Sequence, residues 1–269
     1  MSPATPPPRS ARRLPLGERP RVLEMSAVDK TFAGNVVALR AMSLDVNAGD
    51  FISLLGPSGC GKSTALRLIA GLSQPSRGRI AWEGGQSAND LGVVFQEPTL
   101  MPWATVAQNV WLPFRLRGQS YASVRDEVLE ALKLVGLERF QNAYPRELSG
   151  GMKMRVSIAR AMVTHPRLIL MDEPFAALDE ITRFKLNNDL LQLKERIGCT
   201  VIFVTHSVFE SVFLSDRIIV MAARPGRVIR ELRVDAPYPR TEAFRTSPDY
   251  AAWCREASAA LHEAMEAPA

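Results

Sequence analysis

A chain of 269 residues, 46% hydrophobic and 23% charged, has the composition of an ordinary globular protein and the length for one large core or two small ones. No apolar run approaches the length that spans a bilayer, the N-terminus shows no apolar signal-peptide core, and the three scattered cysteines have neither disulfide nor zinc spacing. The net charge of +5 would suit a nucleic-acid partner, but Arg9, Arg12, Arg13, Arg19 and Arg21 crowd one proline-rich stretch, so the excess belongs to a tail and not to a binding face.

Residues 1–20 hold Pro3, Pro6, Pro7, Pro8, Pro15 and Pro20 among polar residues, which predicts a disordered extension. A strand pattern runs from Val22 to Phe32, Gly34-Asn35 makes a tight turn, and strand-like segments return at Val36–Leu39 and Met42–Val46. Phe32, at a strand end beside a turn, can pack or stack on a purine.

The apolar run Phe51–Leu55 reads as a buried strand. It leads into Gly56-Pro57-Ser58-Gly59-Cys60-Gly61-Lys62-Ser63, followed by Thr64 and a helical pattern through Ala65, Leu66, Leu68 and Ile69. Strand, glycine loop and helix in this order form a phosphate-binding loop. Gly56, Gly59 and Gly61 let the backbone wrap closely, so N–H groups and the positive end of the helix face an anion. Lys62 can reach β- and γ-phosphates, and the Ser63 hydroxyl can bind Mg²⁺. Cys60, within the loop and near both Lys62 and a helix start, is expected to favour thiolate.

Arg79–Trp82 and Leu91–Phe95 read as further strands, the second ending at Gln96, where α/β proteins place ligand sites. Residues from about 97 to 165 read as mostly helical, with Val124, Val128, Ala131, Leu132 and Val135 at helical spacing and Gly136 as a stop. Ser149, Gly150 and Gly151 open the last helix of this stretch and offer N–H donors to an anion. The strand Leu168–Met171 runs into Asp172, suited to Mg²⁺ through water, and Glu173, placed to orient or deprotonate a water. Val201–Thr205 ends at His206, so three buried strands end in polar groups. Arg217–Met221 and Val228–Val234 flank a turn at Arg224-Pro225-Gly226. Ser247-Pro248-Asp249 starts a last helix, with Tyr250, Trp253, Ala257, Leu261 and Met265 predicted to share its buried face.

These motifs, in this order, resemble the nucleotide-binding subunits of ABC transporters over roughly residues 22–235. The resemblance makes Gln96 the Q-loop glutamine, Leu148–Met152 the signature, Asp172 and Glu173 the Walker B acids, Ala177–Asp179 the D-loop and His206 the switch histidine. It implies a fold of the α/β class, a P-loop NTPase core with mixed sheet, an antiparallel β subdomain and a helical signature-motif subdomain. The predicted domains are a tail at 1–20, the nucleotide-binding domain at 21–240 with its helical lobe at about 97–165, and a helical extension at 241–269.

The implied activity is ATP hydrolysis, with ATP and Mg²⁺ as ligands. Glu173, His206, Gln96 and Lys62 would be catalytic. Ser63, Gln96 and Asp172 would hold the metal. Phe32, residues 56–64, Gln96, Ser149, Gly150, Gly151 and Asp179 would hold the nucleotide. Met152 stands where glutamine is commonest, and Phe32 where tyrosine is common. The implied partners are a second ATPase subunit in a head-to-tail dimer, most simply an identical one, integral-membrane permease subunits and an extracytoplasmic substrate-binding protein, with no nucleic acid. The implied place is the cytoplasmic face of the inner membrane, peripherally bound. Leu100, Met101, Pro102 and Trp103 are expected to be exposed for permease docking, and alkylation of Cys60 to inactivate unless MgATP protects.

The stretches Phe95–Trp103, Asp172–Asp179 with Thr182-Arg183, and Ala223–Arg227 are similar to importer subunits for nitrate, sulfonates and taurine, with carriers of bicarbonate or pyrimidine vitamin precursors still open. Two other readings, a soluble ABC-type ATPase acting on nucleic acid or ribosomes and a P-loop kinase, explain less. The first calls for long coiled coils or a duplicated domain, and the second leaves Ser149–Gly151 and His206 without a role.

Overall fold

The computed structural model of the chain describes residues 19–85 and 90–267. Its centre is a six-stranded sheet in the order β5-β6-β7-β3-β8-β9. The strands are β3 (Phe51–Leu55), β5 (Leu91–Val94), β6 (Leu168–Asp172), β7 (Thr200–Thr205), β8 (Arg217–Ala222) and β9 (Arg227–Arg233). All neighbours pair in parallel except β8 and β9. A second, antiparallel sheet has the order β2-β1-β4, from β1 (Arg21–Phe32), β2 (Val36–Asn47) and β4 (Arg77–Trp82).

The inner strands read as unbroken apolar runs because both faces are covered. Successive side chains point to opposite faces, and they divide between two cores. Phe51, Ile169, Met171, Val201, Phe203, Ile218 and Val220 enter one core with the helical elements. Ile52, Leu54, Leu168, Leu170, Ile202, Val204, Ile219 and Met221 enter the other, with the antiparallel sheet and α1 (Lys62–Ile69).

The helices of the middle stretch are α2 (Val106–Leu116), α3 (Arg125–Leu134) and α4 (Gly150–Met162), followed later by α5 (Glu180–Ile197), α6 (Val208–Leu214), α7 (Glu242–Arg245) and α8 (Pro248–Glu266). Thr105 caps α2 with a reciprocal bond to Gln108, Ser149 caps α4 and Asp179 caps α5. Gly136, at φ +69°, follows the end of α3 where the glycine stop was expected.

Three expectations are corrected. The segments at Val36–Leu39 and Met42–Val46 are one strand, β2. Its apparent gap is a bulge at Ala41 (φ +48°), whose N–H donates to Asp29 Oδ1 at 2.6 Å. Arg19 and Pro20, read as part of the disordered tail, join the body: Ala48 N–H donates to the Pro20 carbonyl and Arg19 pairs with Asp50. Residues 1–18 lie outside the described residues. Last, α8 packs Tyr250, Trp253, Ala257 and Leu261 against the core as expected and buries Cys254, Ala260 and Ala264 as well, but Met265 is 63% exposed and leaves that face.

Opposite the glycine loop, the N-terminal strand ends close over a buried charge cluster. Asp50 is fully buried and accepts from Asn47 N–H and from the guanidinium groups of Arg19 and Arg217. Asp216 receives Lys194 at 3.3 Å and Phe51 N–H at 3.0 Å. Removing one member strands the others without water. Asp50→Ala is therefore expected to lose about 3–5 kcal/mol in urea unfolding. A loss below about 1 kcal/mol, the worth of a surface pair, would show the cluster to be dispensable.

Candidate functional site

The site forms where β3, β6 and β7 end. The parallel register sets Leu55 beside Thr205 and Asp172 beside Val204. The residues that follow, Gly56, Glu173 and His206, therefore emerge together from one sheet edge, the position expected for a ligand site in an open α/β sheet. Gln96, two positions past the end of β5, leaves the same edge through the pairing of Val94 with Met171.

Residues 56–61 turn tightly into α1, whose first N–H groups have no helical acceptor. Gly61, at φ +92°, makes the last bend, and a Cβ there would lie 2.6 Å from Leu39 Cδ2. Lys62 is 5% exposed and folds back into the loop, with Nζ donating to the Gly56 carbonyl at 2.7 Å and the Pro57 carbonyl at 3.0 Å. These are carbonyls an ammonium can leave for a phosphate oxygen. Ser58 and Gly59 are exposed at the crest, with Thr64 half-buried behind them.

The Ser63 hydroxyl donates to Asp172 Oδ1 at 2.9 Å. Burial pushes the Asp172 carboxyl up; the Ser63 bond opposes this and neighbouring Glu173 adds to it. Two hard oxygen donors at this separation suit Mg²⁺ completed by waters and phosphate oxygens. Among the described residues no group of three or more His, Cys, Asp and Glu could cage a metal.

Glu173 has φ +46°, a backbone conformation costly for a non-glycine residue. Its N–H donates to the Val204 carbonyl at 3.1 Å, and the bend turns its carboxylate toward His206, with Oε2 3.2 Å from Nδ1. His206 is more than half exposed. The structure thus brings Lys62, Ser63, Asp172, Glu173 and His206 to one edge.

Other expected residues stand apart. Ser149 accepts from Met152 N–H as the cap of α4, and a Cβ on Gly150 or Gly151 would meet Leu178 and Thr182. Asp179 caps α5 through Thr182 N–H at 2.9 Å, a bond that lowers its carboxyl's proton affinity. Phe32 is 44% exposed at the turn end of the β1–β2 hairpin, with Lys30 Nζ 5.0 Å from its ring centre. Beyond Gln96, Arg160 braces the Pro98 and Thr99 carbonyls, and buried Asn109 bonds the Met101, Ala104 and Thr105 carbonyls. That frame presents Trp103, 75% exposed, whereas Leu100, expected to be exposed, packs partly buried against the core.

The sequence profile described as "ABC transporter" matches residues 39–176. The chain belongs to the ABC transporter family. A Brucella abortus protein named as ATP-binding is 49% identical to it over 81% of this chain and 85% of its own. The aliphatic sulfonates import ATP-binding protein SsuB 2 of Pseudomonas syringae is 47% identical over 88% and 96%. The nitrate import ATP-binding protein NrtD of Synechocystis is 41% identical over 89% and 94%. Among solved structures, a dimeric ATP-binding cassette in a post-hydrolysis state with ADP and Pi superposes with TM-score 0.68 at 35% identity, covering 80% of this chain and all of that one. The cbiO1 subunit of Clostridium perfringens, part of the cbiONQ transporter complex, gives TM-score 0.73 at 28% identity over 80% and 89%. This ABC protein has the ATPase cassette fold and is an ATPase. No helix among the described residues is long and apolar enough to cross a membrane.

Two features of the ABC site were not read from the sequence. Gly226 wedges behind the phosphate loop, where a Cβ would lie 2.5 Å from the Ala38 carbonyl oxygen and 3.0 Å from Leu39 Cδ2, and its own carbonyl accepts from Arg40 N–H at 2.8 Å. The sequence marked it only as part of the turn Arg224-Pro225-Gly226 and of the importer-like stretch Ala223–Arg227, with no hint of its place behind the loop. Glu210, 7% exposed, accepts from the Thr205 hydroxyl at 2.5 Å and lies 3.8 Å from Arg183, whose guanidinium also donates to the Leu178 carbonyl. Nothing in the pattern announces this chain of contacts.

The thiolate expected at Cys60 is overturned. The side chain is fully buried, and burial pushes its thiol up more than the Lys62 ammonium, 3.9 Å away, pulls it down. Cys254 is likewise raised by burial, and Cys199 is pushed up to about 11. Native protein treated with iodoacetamide at pH 7 is expected to keep all three thiols, which mass spectrometry reads, with alkylation following only on unfolding. Rapid native modification at Cys60 would contradict this burial.

Proposed function

We propose that this ABC ATPase energises a membrane importer, working as a pair of cassettes that close on ATP, and that its cargo is a small anion of the nitrate, sulfonate or taurine kind. The observation that carries the hydrolytic reading is the convergence at one sheet edge of the Ser63–Asp172 pair at 2.9 Å and the Glu173–His206 pair at 3.2 Å. The importer reading rests on relatives named for nitrate and sulfonate import that match nearly end to end.

In this reading the loop N–H groups of residues 56–64 bind the phosphates, and Lys62 moves its ammonium from the Gly56 and Pro57 carbonyls to phosphate oxygens. Ser63, Asp172 and Gln96 would hold Mg²⁺, which when bound would neutralise phosphate charge. Phe32 stacks on the adenine. Glu173 accepts a proton from, or orients, the attacking water, and His206 holds Glu173 and the terminal phosphate in line. Ser149, Gly150 and Gly151 present the start of α4 to the nucleotide of a second subunit, with Asp179 beside it. ATP then lies in the dimer interface, and hydrolysis releases the halves. The frame that presents Trp103 and exposed Phe95 docks a permease, whose binding protein delivers cargo, with the cassette on the cytoplasmic face of the cell membrane.

Glu173→Gln is expected to bind ATP, hydrolyse it at least about a hundredfold more slowly and accumulate as an ATP-held dimer in size-exclusion chromatography. Near-normal turnover would remove Glu173 from the chemistry. Affinity purification from detergent-solubilised membranes is expected to bring down a multi-span permease. Recovery with nucleic acid or ribosomes and no permease would overturn the importer reading.

A further inference from the structure

The short helix α6 begins two residues after His206, so its placement sets that of the histidine. Its own cap is local: the Ser207 hydroxyl accepts from Glu210 N–H, and Ser207 N–H donates to the Thr205 hydroxyl. What grips the helix at both ends comes from beyond the sheet. At its start, the Tyr250 hydroxyl of α8 donates to the Phe209 carbonyl at 3.0 Å. At its end, the Tyr238 hydroxyl donates to the Leu214 carbonyl at 3.2 Å. The buried Arg240 guanidinium donates to the Val212, Phe213 and Ser215 carbonyls at 2.8–3.1 Å. A ring stack ties the two ends together. Phe213 of α6 lies 6.4 Å from Phe244, which meets Tyr250 edge-on at 5.2 Å, and Arg245 sits 3.4 Å over Phe213.

We propose that the segment Tyr238–Tyr250 positions the switch histidine, with Tyr250 as its positioning residue: by holding the Phe209 carbonyl, Tyr250 fixes the N-terminal turn of α6 and so the approach of His206 to Glu173. The hydroxyl makes no contact with the phosphate loop in this arrangement of bonds; it acts one turn of helix away. The segment therefore couples the outermost part of the chain to the hydrolytic edge. Anything that displaces α8 would loosen His206 without touching the phosphate-binding residues.

The proposal rests on the role given to His206 above, and His206→Ala in the same ATPase assay reports on that role separately. The test is Tyr250→Phe in the full chain. This change removes only the hydroxyl, with its bond to the Phe209 carbonyl and its contacts to Arg245 and Cys254, and keeps the ring against Phe244. The expected result has three parts. The kcat for ATP falls about three- to tenfold, the size expected if about one hydrogen bond's worth of His206 alignment is lost. The KM for MgATP stays unchanged. In ¹⁵N-histidine spectra, the ring signals of His206 shift while those of the other two of the chain's three histidines, His165 and His262, do not. An unchanged kcat would overturn the proposal. So would a lower kcat with unmoved His206 signals, or a KM change that accounts for the loss, since each places the effect of Tyr250 elsewhere.

Discussion

Burial of the central strands on both faces is the constraint on which everything else depends. β3, β6, β7 and β8 send alternate side chains into two separate cores, so the strand interiors have almost no place for a reactive polar group. Polar chemistry is confined to the strand ends, where the chain leaves the sheet. At one edge the ends carry Lys62, Ser63, Asp172, Glu173 and His206. At the other they carry Asp50, Asp216 and Arg217, a buried cluster that Lys194 joins from α5. One edge is open and holds groups that can exchange partners for a ligand. The other is closed, its charges matched to one another, and it locks the sheet that aligns the open edge.

The open edge is supported by backbone approach more than by side chains. β2 lies over Gly61, and Gly226 fills the gap between β2 and the loop, joined by the hydrogen bonds of Ala38 and Arg40. The antiparallel sheet thus does more than carry Phe32 at its hairpin end. It presses the phosphate loop into shape from outside, while Cys60, fully buried beneath, packs the inside.

Features set by local pattern were legible in the sequence. The residues of β3 match the apolar run Phe51–Leu55, and Ser247 caps α8 as the Ser-Pro-Asp triplet indicated. The loop after β3, the acids at the end of β6 and the histidine after β7 were readable because each closes or directly follows an apolar run. Features set by packing were not. The bulge at Ala41 looked like a strand break because its acceptor, Asp29, comes from the neighbouring strand. At the last turns of α8 the inward positions are the small residues Ala260 and Ala264, beside which larger Met265 had looked the better candidate. Cys60 misled because charge and a helix start are visible in sequence, while the burial that outweighs them is not.

The outer strand β9 has a consequence for how such cassettes meet. Four of its seven residues, Arg227, Arg230, Glu231 and Arg233, are charged, and Arg230 is tied to Glu263 of α8 at 2.8 Å. A free strand edge ordinarily templates another strand, and charge along it discourages that addition. Two copies at high local concentration are thus steered away from fusing their sheets into a continuous ribbon. Contact between copies is left to other surfaces of the cassette.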